Sequence, residues 1–144
     1  MSTNPKRLSY TLLALGLVGI LDTAYLVAKH YVGGTVKCIL AEGCDTVITS
    51  SYSMVLGVIP AALLGLLFYS TLFVGVFLVA EDFSLKFRRS LLVWAGLGLA
   101  FSGWFLYVQA FILDAYCTYC LISALNTLLI FITSVLVYRL PSRT

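Results

Sequence analysis

The stretch Tyr116-Cys117-Thr118-Tyr119-Cys120-Leu-Ile-Ser-Ala-Leu-Asn126-Thr-Leu-Leu-Ile-Phe-Ile-Thr-Ser-Val-Leu-Val-Tyr138 combines two signals. It carries no charge, and it is long enough to cross a hydrocarbon core of about 30 Å, which takes about 20 apolar residues in a helix. It also opens on a Cys-x-x-Cys pair. A cysteine motif at the mouth of a membrane span is the feature from which the fold is read.

Three further stretches meet the same length criterion: about Leu8 to Ala28, Val58 to Ala80 and Leu91 to Leu113. The composition agrees. Of 144 residues, 61% are hydrophobic and 10% charged, with a mean hydropathy of +1.03. A soluble domain carries roughly 25% charged residues, so the deficit points to a bilayer. A net charge of +3 is too small to suggest nucleic acid. Lys6 and Arg7 precede the first apolar run as they would in a signal peptide. That run exceeds the roughly 7–15 residues of a signal core, and no clear small-residue cleavage site follows, so it reads as a retained helix. No internal repeat or low-complexity tract divides the chain. Residues 1–144 are expected to form a single, all-α, four-transmembrane-helix-bundle domain.

The few charges set an expected orientation. Lys6 and Arg7, then Lys86, Arg88 and Arg89, then Arg139 and Arg143 all fall on one side if four spans are counted. Only Lys29 and Lys37 fall on the other. Basic residues collect on the cytoplasmic side. Both termini are therefore expected in the cytoplasm, in a multi-pass protein of the cell membrane. The loop from about Tyr31 to Gly57 and the turn before Cys117 then face outward.

All four cysteines lie in those outward segments, where disulfide chemistry operates. Cys117 and Cys120, three residues apart, lie on one helical face. The positive end of a helix favours thiolate, most strongly at its first residue. Cys117 is thus the expected nucleophile or leaving group, and Cys120 lies one turn deeper. Cys38 and Cys44 sit in a segment containing Gly33, Gly34 and Gly43, which reads as a mobile arm. Asp45 to Met54 reads as a brief surface helix covering the site. Pro60 suits the first turn of the second span. Gly96 with Ala100 and Gly98 with Ser102 form small-residue packing pairs.

The cysteines also admit two structural disulfides stapling the outer loop, free buried thiols, or a zinc site. The gap between Cys38 and Cys44 is longer than the two to four residues usual between zinc ligands, and no metal is expected. A stapled, non-catalytic tetraspan protein or small transporter is the alternative from another functional class. Asp22, inside the first span, marks either a proton route or a polar contact between helices. His30 reads as an interface residue.

With these residues in view, the chain resembles the vitamin K epoxide reductase family in its stand-alone prokaryotic form, from about Gly19 to Asn126. The resemblance rests on Leu21-Asp22-Thr23-Ala24-Tyr25-Leu26, His30-Tyr31, Cys38, Gly43-Cys44-Asp45-x-Val47-x-x-Ser50, Gly57-x-x-Pro60, Gly65-x-x-x-Tyr69 and Cys117-x-x-Cys120. It implies a bundle around a quinone of menaquinone, ubiquinone or phylloquinone type, capped by the loop and its surface helix. It further implies Cys38 and Cys44 as a shuttle pair, Cys117 and Cys120 as the active-site pair, and a transient Cys44–Cys117 bridge. Cys120 would touch the quinone and Ser50 would lie at its head group. Phe68 and Tyr69 are candidates for the pocket wall.

By the same resemblance, electrons pass from an extracytoplasmic thioredoxin-fold (DsbA-like) protein, through both pairs, to the quinone. Strong oxidants of the DsbA type, at about −120 mV, need so oxidising a sink. Where vertebrate members place an asparagine and a tyrosine at the head group, this chain has Ala61 and Ala124. Ordinary quinone reduction is therefore expected over epoxide reduction. Many prokaryotic relatives carry a fused thioredoxin-like domain, and none follows Arg139, so the thiol partner is expected to be separate. The unrelated quinone-linked oxidase DsbB also has four helices and two cysteine pairs, but with the Cys-x-x-Cys in its first external loop. The inverted order here argues against it.

Overall fold

The computed structural model describes residues 4–40, 42–79 and 83–141. Ala80 and Arg143, invoked above, lie outside them.

The first helix, α1 (Pro5–Val32), extends beyond its apolar run at both ends because both ends are capped. The Asn4 side chain accepts from the Lys6 N–H at 3.1 Å, and Pro5 occupies a first-turn position where no N–H is needed. Gly33 ends the helix at φ 77° and returns its N–H to the Lys29 carbonyl, a conformation open to glycine at little cost. A short helix, α2 (Cys44–Thr49), and one tight turn at Ser51–Ser53 follow.

A small antiparallel hairpin comes next, β1 (Met54–Val55) with β2 (Ile59–Pro60), pairing Met54 with Pro60 and Val55 with Ile59. Its turn uses left-handed backbone at Leu56 and Gly57. The expected start of the second span at Val58 is thus corrected. Val58 belongs to the hairpin turn, Ile59 and Pro60 form β2, and α3 runs from Ala61 to Val79. Pro60 sits just before the helix, at a strand end where its missing donor is tolerated.

The third span, α4 (Leu85–Tyr107), is capped by Ser84 Oγ accepting from the Phe87 N–H. It then widens into a π-helical turn over Val108–Ile112. The last helix, α5 (Thr118–Tyr138), begins one residue after Cys117. The four long helices are each long and apolar enough to cross a membrane.

α1 packs on α3 and on α5, and α5 packs on α4, whereas α3 and α4 meet mainly through the Phe68 side chain against Trp94 and Gly98. Small residues permit the close contacts: Gly19 receives the Tyr69 ring and Gly98 faces the Phe68 ring. The main core gathers Leu12, Tyr69, Leu72, Val76, Ala95, Ile130 and Val137. Polar side chains inside it are tied to neighbouring helices, as an apolar medium requires. The Tyr69 hydroxyl meets the Ser123 carbonyl, the Ser123 hydroxyl and the Thr127 hydroxyl at 2.8–2.9 Å. Asn126 Nδ2 donates to the Leu15 carbonyl at 2.9 Å. At the basic end, buried Arg88 donates to the carbonyls of Phe83 and Leu140. One of the charges counted for orientation thus also clamps the α3–α4 connection to the end of α5.

Candidate redox site

The four cysteines lie in one place. Buried Val36, Cys44, Val47 and Cys117 form a second apolar cluster, with Cys38 and Cys120 packed at its edge. Cys38 and Cys44 are joined by a disulfide with Cα atoms 5.8 Å apart. Cys117 and Cys120 are free thiols.

The first pair is held by its loop. Gly33 and Gly34 turn the chain back through positive φ. Asp45 Oδ1 then accepts the Val36 N–H at 2.8 Å, tying the loop to the first turn of α2. Gly43 does more than loosen the arm. A Cβ there would stand 2.7 Å from Tyr116 N and 2.8 Å from Tyr116 O, and backbone cannot step aside as a side chain can. This glycine is required for contact, and the contact docks Cys44 against the segment leading to Cys117. The brief helix expected over Asp45 to Met54 is shorter: it starts at Cys44 and ends at Thr49, with a separate tight turn at Ser51–Ser53 and Met54 already in β1.

The second pair is held by the α4–α5 connection. Cys117 is the N-cap residue of α5, with extended backbone, so it lies one residue outside the helix it was expected to open. Its N–H donates to Gln109 Oε1 at 2.9 Å. Asp114 turns the connection in left-handed backbone at φ 47°, which aspartate tolerates better than most residues. The Cys117 thiol is held below the ordinary thiol range. Its hydrogen bond with the Cys120 side chain contributes most, and the backbone N–H groups of Cys120 and Tyr119 add to it, with burial and the Asp22 carboxylate opposing. Hydrogen bonds thus make Cys117 the thiolate-prone member of the pair.

Beneath the cysteines, lined by residues of both α3 and α4, lies a cavity of about 460 Å³, within the roughly 300–1,000 Å³ usual for small-molecule sites. Cys120 is the cysteine on its wall. Phe68, Trp94, Leu97 and Phe101 supply apolar surface, and Val47, Ile48 and Ser53 close it from the α2 side. Phe68 stacks on Trp94 with ring centroids 5.8 Å apart. Leu67, Leu97 and Phe101 line the cavity and are also exposed on the outer surface of the bundle, so the cavity has a side opening between α3 and α4.

The expected site residues fall as follows. Phe68 and Tyr69 both line the cavity. Ser50 does not: its hydroxyl donates to the Val47 carbonyl at 2.7 Å, closing the end of α2, and Ser53 is the serine on the wall. Ala61 lines the cavity and Ala124 does not. His30 reaches the cavity's outer edge, edge-on to Tyr31. Asp22 has one carboxyl oxygen buried without a hydrogen-bond partner among the described residues. Gln109, fully buried on the cavity wall, was missed. The available signal was that it is the single carboxamide in the apolar run from Leu91 to Leu113, since a strongly polar side chain within a span is seldom idle.

Four membrane-crossing helices, with two cysteine pairs brought together over an apolar cavity, define a membrane disulfide oxidoreductase. The chain belongs to the vitamin K epoxide reductase family, whose model matches residues 10–135, and enzymes of this family are linked to quinones. Comparison with curated proteins gives no match.

Proposed function

We propose that this protein is a thiol:quinone oxidoreductase that generates disulfides outside the cytoplasm. It takes two electrons from a thioredoxin-fold protein and passes them through Cys38–Cys44, then Cys117–Cys120, to a quinone. The observation that carries the reading is the shared burial of Cys44 and Cys117 in one cluster, with Cys120 alone among the cysteines on the cavity wall.

The donor set suits a quinone. The cavity offers aromatic surface for a flat head group, a side opening toward lipid for an apolar tail, and, for a carbonyl, a buried amide donor with no partner among the described residues. When bound, the quinone supplies a two-electron, two-proton sink.

The residues divide the work by exposure. Cys38 is half-buried and Cys44 is buried, so an external thiolate attacks Cys38, forming a mixed disulfide and releasing Cys44 as thiolate. The partner's second thiol then resolves that bond and leaves as a disulfide, with Cys38 reduced. The Cys44 thiolate attacks Cys117 of the oxidised second pair, breaking Cys117–Cys120. Cys38 next attacks Cys44, remaking the first disulfide and leaving Cys117 and Cys120 reduced.

Removing Cys38 tests the reading. In a folded Cys38→Ala protein, transfer from the thioredoxin-fold partner should stop, while a small dithiol that reaches Cys117–Cys120 directly still drives quinone reduction. Loss of that bypass would contradict the division into entry and exit pairs. Orientation is a second expectation. Lys6 and Arg7 at the start of α1, Lys86, Arg88 and Arg89 at the start of α4, and Arg139 just after α5 place their positive charge at the end of the bundle opposite the cysteines, and by the positive-inside bias Cys38 is expected outside the cell. After reduction of intact cells, a membrane-impermeant thiol reagent should label Cys38. Labelling only after lysis would reverse the topology.

A further inference from the structure

Gln109 is held at one end and free at the other. Its Oε1 accepts the Cys117 N–H. A backbone N–H only donates, so the amide oxygen must face it and the NH₂ group must point away. Nε2 is buried and has no partner among the described residues. Three buried side-chain polar atoms among the described residues share that condition, on Asp22, Gln109 and Thr118, and Gln109 is the one of the three on the cavity wall. A buried amide donor left unmet is costly, so such a group marks a place where an acceptor belongs.

The backbone is bent to hold it there. Val108–Ile112 forms a π turn, a rare feature concentrated at functional sites. The Leu113 N–H donates to the Val108 carbonyl at 2.9 Å, and the Ala115 N–H to the Gln109 carbonyl at 3.2 Å. Gln109 therefore fixes the connection through both its backbone carbonyl and its side chain.

We propose that Gln109 Nε2 donates a hydrogen bond to a carbonyl oxygen of the quinone, while Gln109 Oε1 holds Cys117, so that one carboxamide registers acceptor and sulfur pair against each other. This rests on the quinone reading above. When the second pair is oxidised, two S–H bonds are lost and one S–S bond forms between Cys117 and Cys120. Two electrons and two protons pass to the acceptor, whose carbonyls become hydroxyls. Gln109 supplies neither electron nor proton. Its N–H steadies the oxygen on which electron density rises, and a carboxamide engaged on both sides is polarised in the direction that strengthens each bond.

The test uses the full-length protein in detergent, with 2-methyl-1,4-naphthoquinone as probe. Binding is followed by quenching of Trp94 on the cavity wall, in a Trp104→Phe background so that one tryptophan reports. Infrared difference spectra give the carbonyl stretches of the bound probe. In the protein with Gln109, one carbonyl should move to lower wavenumber than in free quinone. In Gln109→Met that shift should vanish and the dissociation constant rise about tenfold, the scale of one buried hydrogen bond. Oxidation of Cys117 and Cys120 by a small water-soluble oxidant should proceed in both proteins. Quinone binding with both carbonyls unshifted would overturn the proposal even if the variant failed to fold, and so would an unchanged dissociation constant in folded Gln109→Met. Absence of any quinone binding to the Gln109 protein would overturn the functional reading itself and this inference with it.

Discussion

Replacing Cys120 with Ala should abolish sustained quinone reduction, by a factor on the order of 10³ or more, the scale seen when a reacting group is removed outright. Of the four sulfurs, this one lines the cavity, and without it Cys117 has no partner with which to form the disulfide that delivers electrons. The entry pair is untouched, so a reduced thioredoxin-fold partner should still be oxidised once per molecule, by the preformed Cys38–Cys44 disulfide. The expected record is a stoichiometric burst of partner oxidation followed by none, with no reduced quinone. Continued turnover in folded Cys120→Ala would mean that electrons leave by another route.

The second large effect is expected at a residue that carries no sulfur itself. In Gly43→Val, the first carbon of the side chain would already lie 2.7–2.8 Å from the backbone nitrogen and oxygen of Tyr116. One segment must move away from the other, and Cys44 is the next residue. Misplacement by about 1 Å can cost on the order of 100-fold where groups must meet in a defined geometry, so transfer between the two pairs should fall by at least that factor. The half-reactions should survive. A small dithiol should still reduce Cys38–Cys44, and the quinone should still oxidise Cys117 and Cys120. A normal overall rate in the variant would show that docking of Gly43 on Tyr116 is not what brings the pairs together.

That second prediction also marks the limit of what sequence makes legible. The four spans are readable because twenty-odd uncharged residues have few homes outside a bilayer. The gathering of the cysteines at one end follows from counting spans and placing the loops. Gly43 was legible only as freedom, because a glycine that permits close approach and one that permits motion look the same until the neighbouring backbone is known. Gln109 was hidden differently: its role depends on a π turn, and hydropathy carries no trace of one. Pro60 and Val58 were misassigned because an apolar run does not reveal where a hairpin ends and a helix starts. Ser50 and Ser53 lie one turn apart, and only the closing of α2 by the Ser50 hydroxyl leaves Ser53 on the cavity wall.

The central claim is that Cys44 delivers electrons to Cys117, and a double variant tests it most directly. In Cys38→Ala, Cys120→Ala only the two bridging sulfurs remain. Each has lost the neighbour that would normally release it, Cys38 for Cys44 and Cys120 for Cys117. Exposed to oxidant, the protein should accumulate an intramolecular Cys44–Cys117 disulfide, seen by non-reducing peptide mapping as the segment around Cys44 joined to the segment around Cys117. Their shared burial in one cluster places that bond within reach. If the folded double variant keeps both thiols free, or instead forms a Cys44–Cys44 bridge between molecules, the relay proposed here is wrong.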